Sequence, residues 1–174
     1  MGRFLAGILA TVVVAAILGY GAVRFGYVPA RADEKPGSLE RLAARMALNA
    51  TIAREQPQPP YPYGPPTDAT LLAGAKLYIQ NCAFCHGTGK TKDSPTAVGM
   101  NVSPPQFSKN GVDDDPAGTN YWKIEHGIRF TGMPSYAKTL TEEQVWQLAY
   151  FVTHGMDKLP PAAAAVWNET APAN

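Results

Sequence analysis

Cys82-Ala83-Phe84-Cys85-His86 decides how this chain of 174 residues is read. It holds both of the chain's cysteines. Two are too few for the disulfide framework of a small stapled domain, and too few for a four-thiolate zinc or iron–sulfur site. The spacing does fit the C-x-x-C-H signature of covalent haem attachment. Thiols separated by two residues reach the two vinyl groups on one edge of a porphyrin, and the imidazole that follows falls beneath the iron. Such a tie lets a small domain keep a large apolar cofactor. A thioredoxin-type redox pair would open a helix after a strand. Here the motif closes a helical stretch, Asp68 to Asn81, and no strand precedes it. That stretch is capped by Thr67 or Asp68, with Leu71, Leu72, Ala75, Tyr78 and Ile79 at helical spacing.

Downstream, the pattern predicts three more helices. A short one lies between Lys92 and Val98. A second follows the Asp115-Pro116 cap and runs to about His126. A third starts at Thr141, where Thr141-Glu142-Glu143-Gln144 forms a capping box and Val145, Leu148, Ala149 and Val152 make one apolar face; Gly155 ends it. A low-spin haem needs a ligand opposite His86, and the candidates are Met100, Met133, Met156, His126 and His154. Met133 is the best placed. It sits in Thr131-Gly132-Met133-Pro134-Ser135, a turn between two helices where Gly and Pro let a loop wrap a cofactor and present the sulfur. Methionine opposite histidine raises the reduction potential. Met100, also in a loop, is the main rival, while His126 and His154 read as helix-end residues.

Towards the N-terminus, Gln56 to Pro66 holds six prolines in eleven residues, an extended, semi-rigid linker. Ser38 to Arg54 has helical spacing in Leu39, Leu42, Ala43, Met46 and Ala50. It reads either as a spacer helix packed on its own domain or as one resting on a membrane or a partner. Phe4 to Val23 is 20 uncharged residues, about 30 Å of helix, enough for a bilayer core. It is an anchor, or a signal peptide cut after Ala30-Arg31-Ala32; its length favours the anchor. Either way the rest of the chain lies outside the cytoplasm. The expected organisation is an anchor and flank at 1–32, a helix and linker at 33–66, a haem domain at 67–159 and a flexible tail at 160–174.

Several stretches resemble class I monohaem cytochromes c of the membrane-anchored bacterial type: Gly74-x-x-x-Tyr78 with Cys-Ala-Phe-Cys-His-Gly, Tyr121 through Pro134, and Trp146-x-x-Ala149-Tyr150-Phe151-Val152. The resemblance spans about Thr67 to Leu159. It implies an all-α fold of about four helices wrapped round one covalent haem c, behind an N-terminal transmembrane helix. It implies that the first and last helices cross at Gly74 against the Trp146/Tyr150 segment, that Trp122 and Arg129 lie near the haem and its propionates, and that Pro104-Pro105 forms a loop on the histidine side. The extension from Arg24 to Pro66 departs from the family pattern and suggests a tethered carrier or a subunit of a larger complex.

Charge is balanced at 15 basic and 14 acidic residues, and the body from Thr67 to Lys158 carries eight basic and nine acidic, which excludes the basic face nucleic-acid binding needs. Asp113-Asp114-Asp115 lacks the loop spacing of a calcium site and reads as a solvated turn. No set of residues suits acid–base catalysis. The expected function is one-electron transfer at a His86/Met133-ligated haem, on the periplasmic side of a bacterial inner membrane, with redox proteins or subunits of a respiratory or photosynthetic complex as partners and lipid held through 4–23. The alternative is an open-site haem enzyme or gas sensor.

Overall fold

The computed structural model describes residues 1–57, 63–91 and 93–169. Among them the regular elements are all helical. The chain forms two units, 1–34 and 35–174. The first carries α1 (Gly2–Arg24), whose apolar window has a mean hydropathy of 2.2 and is long enough to cross a membrane. Length and composition of this kind also suit a signal sequence.

The second unit contains α2 (Ser38–Glu55), α3 (Asp68–Asn81), α4 (Ala83–His86), α5 (Pro95–Val98), α6 (Ala117–His126), α7 (Glu142–His154) and α8 (Pro161–Trp167). Local chemistry sets most boundaries. The Thr67 hydroxyl accepts from the Thr70 N–H at 3.2 Å and opens α3. At α7 the capping box closes in both directions: the Gln144 N–H donates to Thr141 Oγ1 at 3.3 Å, and the Thr141 N–H donates to Gln144 Oε1 at 2.9 Å. The expected Asp115 cap of α6 is replaced. Pro116 holds the N-cap, and the Asp115 carboxylate instead accepts from Lys123 Nζ at 2.6 Å.

Helix α3 crosses α7 at Gly74. A Cβ there would lie 2.3 Å from the Gln147 carbonyl oxygen and 2.7 Å from Phe151 Cβ, so the two backbones meet where no side chain intervenes. Val145, Trp146, Leu148, Ala149 and Phe151 of α7 are buried against α3 and α6. Tyr78 is wholly enclosed, its ring 5.4 Å from both Phe151 and Trp167 and 5.7 Å from Phe107.

One expectation is corrected here. The tail from 160 is not uniformly loose: Pro161–Trp167 is helix, with Pro at its first turn, four alanines, and Ala163 and Trp167 buried in the core. The Gly89 N–H donates to the Trp167 carbonyl at 3.1 Å, tying α8 to the loop after His86. The predicted linker falls partly outside the described residues, at 58–62, as do Lys92 of the predicted short helix and the last residues of the tail, 170–174. Helix α2 packs on α6 by its C-terminal end, where Ile52 is buried. The Trp122 indole N–H donates to Glu55 Oε2 at 3.2 Å, and the Thr119 hydroxyl bonds to Gln56 Oε1.

Candidate cofactor site

Helix α3 runs straight into the Cys–His motif. The Cys82 N–H closes on the Tyr78 carbonyl at 2.8 Å, and the His86 N–H on the Cys82 carbonyl at 2.9 Å. The single turn of α4 therefore puts Cys82 and Cys85, three residues apart, on one face. Gly87 then turns the chain away at φ 75°, and the buried Tyr78 hydroxyl donates to its carbonyl at 2.8 Å.

The His86 ring is fixed from two sides. Its Nδ1 lies 2.9 Å from the Pro105 carbonyl oxygen. A carbonyl can only accept, so the proton belongs on Nδ1 and the Nε2 lone pair is left for a metal. Phe107 stacks on the ring with centroids 4.7 Å apart. Burial lowers the imidazole pKa, favouring the neutral form a ligand needs, and the Pro105 contact works in the opposite direction. Behind this wall, buried Gln106 works as a clamp. Its amide donates to the carbonyls of Cys85 at 2.9 Å and Pro104 at 3.2 Å, and its oxygen accepts from the Ser94 N–H at 2.8 Å. The Ser94 hydroxyl donates to the Phe84 carbonyl.

The facing wall comes from the loop after α6. Gly127 takes φ 69° and lets Pro134 and Met133 approach its backbone; a Cβ there would lie 2.6 Å from the Pro134 carbonyl carbon. The Ile128 N–H donates to the Met133 carbonyl at 3.3 Å, and the Met133 N–H to Thr131 Oγ1 at 3.1 Å. Between the walls lies a cavity of about 130 Å³ that opens to solvent. Cys82, Cys85, His86 and Met133 all line it, with Ile124, Ile128, Val102 and Tyr136 as apolar sides.

The same cavity takes Met100 into its lining, with its thioether packed on Gly132, so both loop methionines named in the sequence face this space. His126, His154 and Met156 do not line it. His126 is exposed beside Glu125, His154 Nε2 sits 3.0 Å from the Lys158 carbonyl oxygen, and Met156 packs on the core. Trp122 and Arg129 are also outside the lining: Trp122 is held by Glu55 of α2, and Arg129 is exposed. Gln106, Phe107 and Tyr136 were not singled out from the sequence. Their partners around the Cys–His motif, Cys85, His86 and Asn81, lie 21 to 55 residues away, and no local pattern marks them.

Donor set and lining together fit haem: a neutral imidazole on one wall, a thioether on the other, two thiols on one turn and apolar sides. The thiols do not fit disulfide exchange. Burial, reinforced by Cys85, pushes Cys82 up to about 12, and burial raises Cys85 also, whereas a reactive pair needs depressed thiols.

Over 84 residues the chain is 31% identical to cytochrome c6 of Parathermosynechococcus lividus, covering 48% of this chain and 88% of that protein. The chain belongs to the cytochrome c family. Membership brings covalently attached haem c and electron carriage. Residues 69–152 of this cytochrome match the family described as cytochrome c oxidase, cbb3-type, subunit III. Among solved structures, a chain of the reducing HAO-like protein complex of Kuenenia stuttgartiensis is 32% identical, over 50% of this chain and 44% of that one, with a TM-score of 0.42.

Proposed function

We propose that this cytochrome is a one-electron carrier whose single haem c is bonded to Cys82 and Cys85 and ligated by His86 and Met133. The observation that carries the reading is the meeting of these four side chains at one apolar cavity. When bound, the haem supplies a ferric/ferrous couple. His86 keeps its Nδ1–H on Pro105 and offers Nε2 in a fixed orientation. The hydrogen-bonded loop from Ile128 to Met133 holds the thioether, and Ile124, Ile128 and Val102 exclude water, which favours the reduced state. Met133 is preferred over Met100 because its loop is packed on the end of α6, where Gly127 meets the Met133 carbonyl and Pro134.

The haem domain runs from about residue 67 through α8 to Trp167. Helix α1 serves as a membrane anchor with this domain on the periplasmic side, and the carrier works as a subunit or tethered partner of a respiratory or photosynthetic redox complex. The length and hydropathy of α1 support the anchor, and the family's description as an oxidase subunit supports the complex. The chain acts as a relay and not as an open-site haem enzyme or gas sensor, because two thioethers compete for the sixth position.

A potentiometric titration of the purified holoprotein tests the carrier role. A single reversible one-electron wave is expected, with the midpoint falling by at least 100 mV, about 2 kcal/mol, in Met133→Ala as a harder donor replaces sulfur. An unchanged midpoint in Met133→Ala would remove Met133 from the iron.

A further inference from the structure

Helix α2 is apolar on two opposite sides. At about 100° per residue, Leu48 and Ile52 fall together on one side. Leu39, Leu42, Ala43, Met46 and Ala50 gather within about 100° of arc on the other. The first side is used inside the fold: Ile52 is buried against α6, the only element α2 packs on among the described residues. The second side is bare. Leu39, Leu42 and Met46 are 77%, 56% and 64% exposed, and Ala43 and Ala50 are exposed between them. A spacer helix that served only its own domain would need the Leu48–Ile52 side alone. Three large apolar side chains lined up in water on the far side add nothing to folding and mark a surface that is covered by something else.

The chain itself brings the surface that fits. Residues 25–37 alone separate α2 from α1, the helix long and apolar enough to cross a membrane. Fully extended, that segment holds the start of α2 within about 45 Å of the end of α1. It carries Phe25, Tyr27 and Val28 exposed, and aromatic side chains favour the membrane–water boundary. Arg41 and Arg45 stand off the stripe, on the polar side that an interfacial helix keeps towards headgroups and water. A stripe of five side chains is too small for a stable protein interface, which takes about 20–30 residues a side. Against a bilayer already tied to the chain little area is needed, because the tether makes the contact intramolecular.

We propose that the face of α2 formed by Leu39, Leu42 and Met46 lies in the headgroup boundary of the lipid bilayer that α1 enters. The proposal rests on the anchor reading above. What holds α2 also holds the haem domain. The Trp122 indole N–H donates to Glu55 Oε2 at 3.2 Å and the Thr119 hydroxyl donates to Gln56 Oε1, so α6 follows the helix. Because α6 leads into the loop that carries Met133, the haem domain is set at one height and one orientation over the membrane instead of swinging on its anchor.

The test uses the full-length holoprotein, one chain per nanodisc of phosphatidylcholine and phosphatidylglycerol, with Cys82 and Cys85 bonded to haem. A nitroxide is attached at Ala43→Cys or Ala50→Cys, on the stripe, or at Ala44→Cys, about 100° round the helix from Ala43. Its collisions with oxygen, which enters lipid, are compared with its collisions with a nickel chelate, which stays in water. The expected oxygen-to-nickel ratio is at least about threefold higher at Ala43→Cys and Ala50→Cys than at Ala44→Cys. Adding Leu39→Gln, Leu42→Gln and Met46→Gln together removes that difference and leaves the visible spectrum and the thermal midpoint as in wild type, because these side chains are exposed. Equal, water-like ratios at all three positions overturn the proposal. Shielding of the stripe labels from oxygen and nickel alike would assign the face to a protein contact, and a lowered midpoint in the triple variant would make it part of the fold; either overturns it. A chain whose mass shows cleavage after Ala32, or that does not enter the discs, would fail the anchor reading itself and this proposal with it.

Discussion

Replacing Gly74 with alanine should damage this fold through a single methyl group. The added Cβ would stand 2.3 Å from the Gln147 carbonyl oxygen and 3.0 Å from its carbon. Ordinary contact needs ~3.5 Å, so the shortfall is about 1 Å. Both atoms belong to the backbone of α7, and no side-chain rotation relieves them; α3 and α7 must separate. Overpacking of this kind costs about 1–3 kcal/mol, and this contact belongs near the top of the range. Alanine returns about 1 kcal/mol through helix propensity. The net loss is about 1–2 kcal/mol, a fall in melting temperature of roughly 4–16 °C for a domain of this size. Thermal unfolding of the reduced holoprotein, followed by far-UV circular dichroism, reads it directly. Gly99→Ala is the control, because the nearest atom to its Cβ is 3.8 Å away. If Gly74→Ala melts with the wild type or above it, the close crossing of α3 and α7 is wrong.

Tyr78→Phe removes a buried hydroxyl that donates to the Gly87 carbonyl at 2.8 Å, and should cost about 1–2 kcal/mol in urea unfolding while leaving the visible spectrum in place. Gln106→Leu leaves the Cys85 and Pro104 carbonyls and the Ser94 N–H without their side-chain partner. We expect a loss of about 2–3 kcal/mol together with a shifted midpoint potential, since the histidine wall loosens; an unchanged potential would confine Gln106 to a packing role.

Local chemistry explains which parts were legible in sequence. The Cys–His turn, the capping box at Thr141 and the periodic face of α3 are written in residues that touch within a few positions, and all were legible there. Helix α8 was not, because a run of alanines has no amphipathic period. What docks it is Trp167 against Tyr78 and Phe151, aromatic contacts across the fold. Trp122 is held in the same long-range way: its indole N–H bonds to Glu55, 67 positions away on the N-terminal extension. For the sixth ligand, turn chemistry singled out the Met133 loop, but only the fold shows that Met100 shares its cavity and that His126, His154 and Met156 do not.

The most direct test of the central claim is the visible spectrum of the reduced wild-type holoprotein before and after carbon monoxide. With His86 and Met133 both on the iron, the spectrum is low-spin and does not change on adding the gas. Ready binding of carbon monoxide, or a high-spin reduced spectrum, would mean that the position opposite His86 is open, and would contradict the account of this chain as a six-coordinate electron carrier.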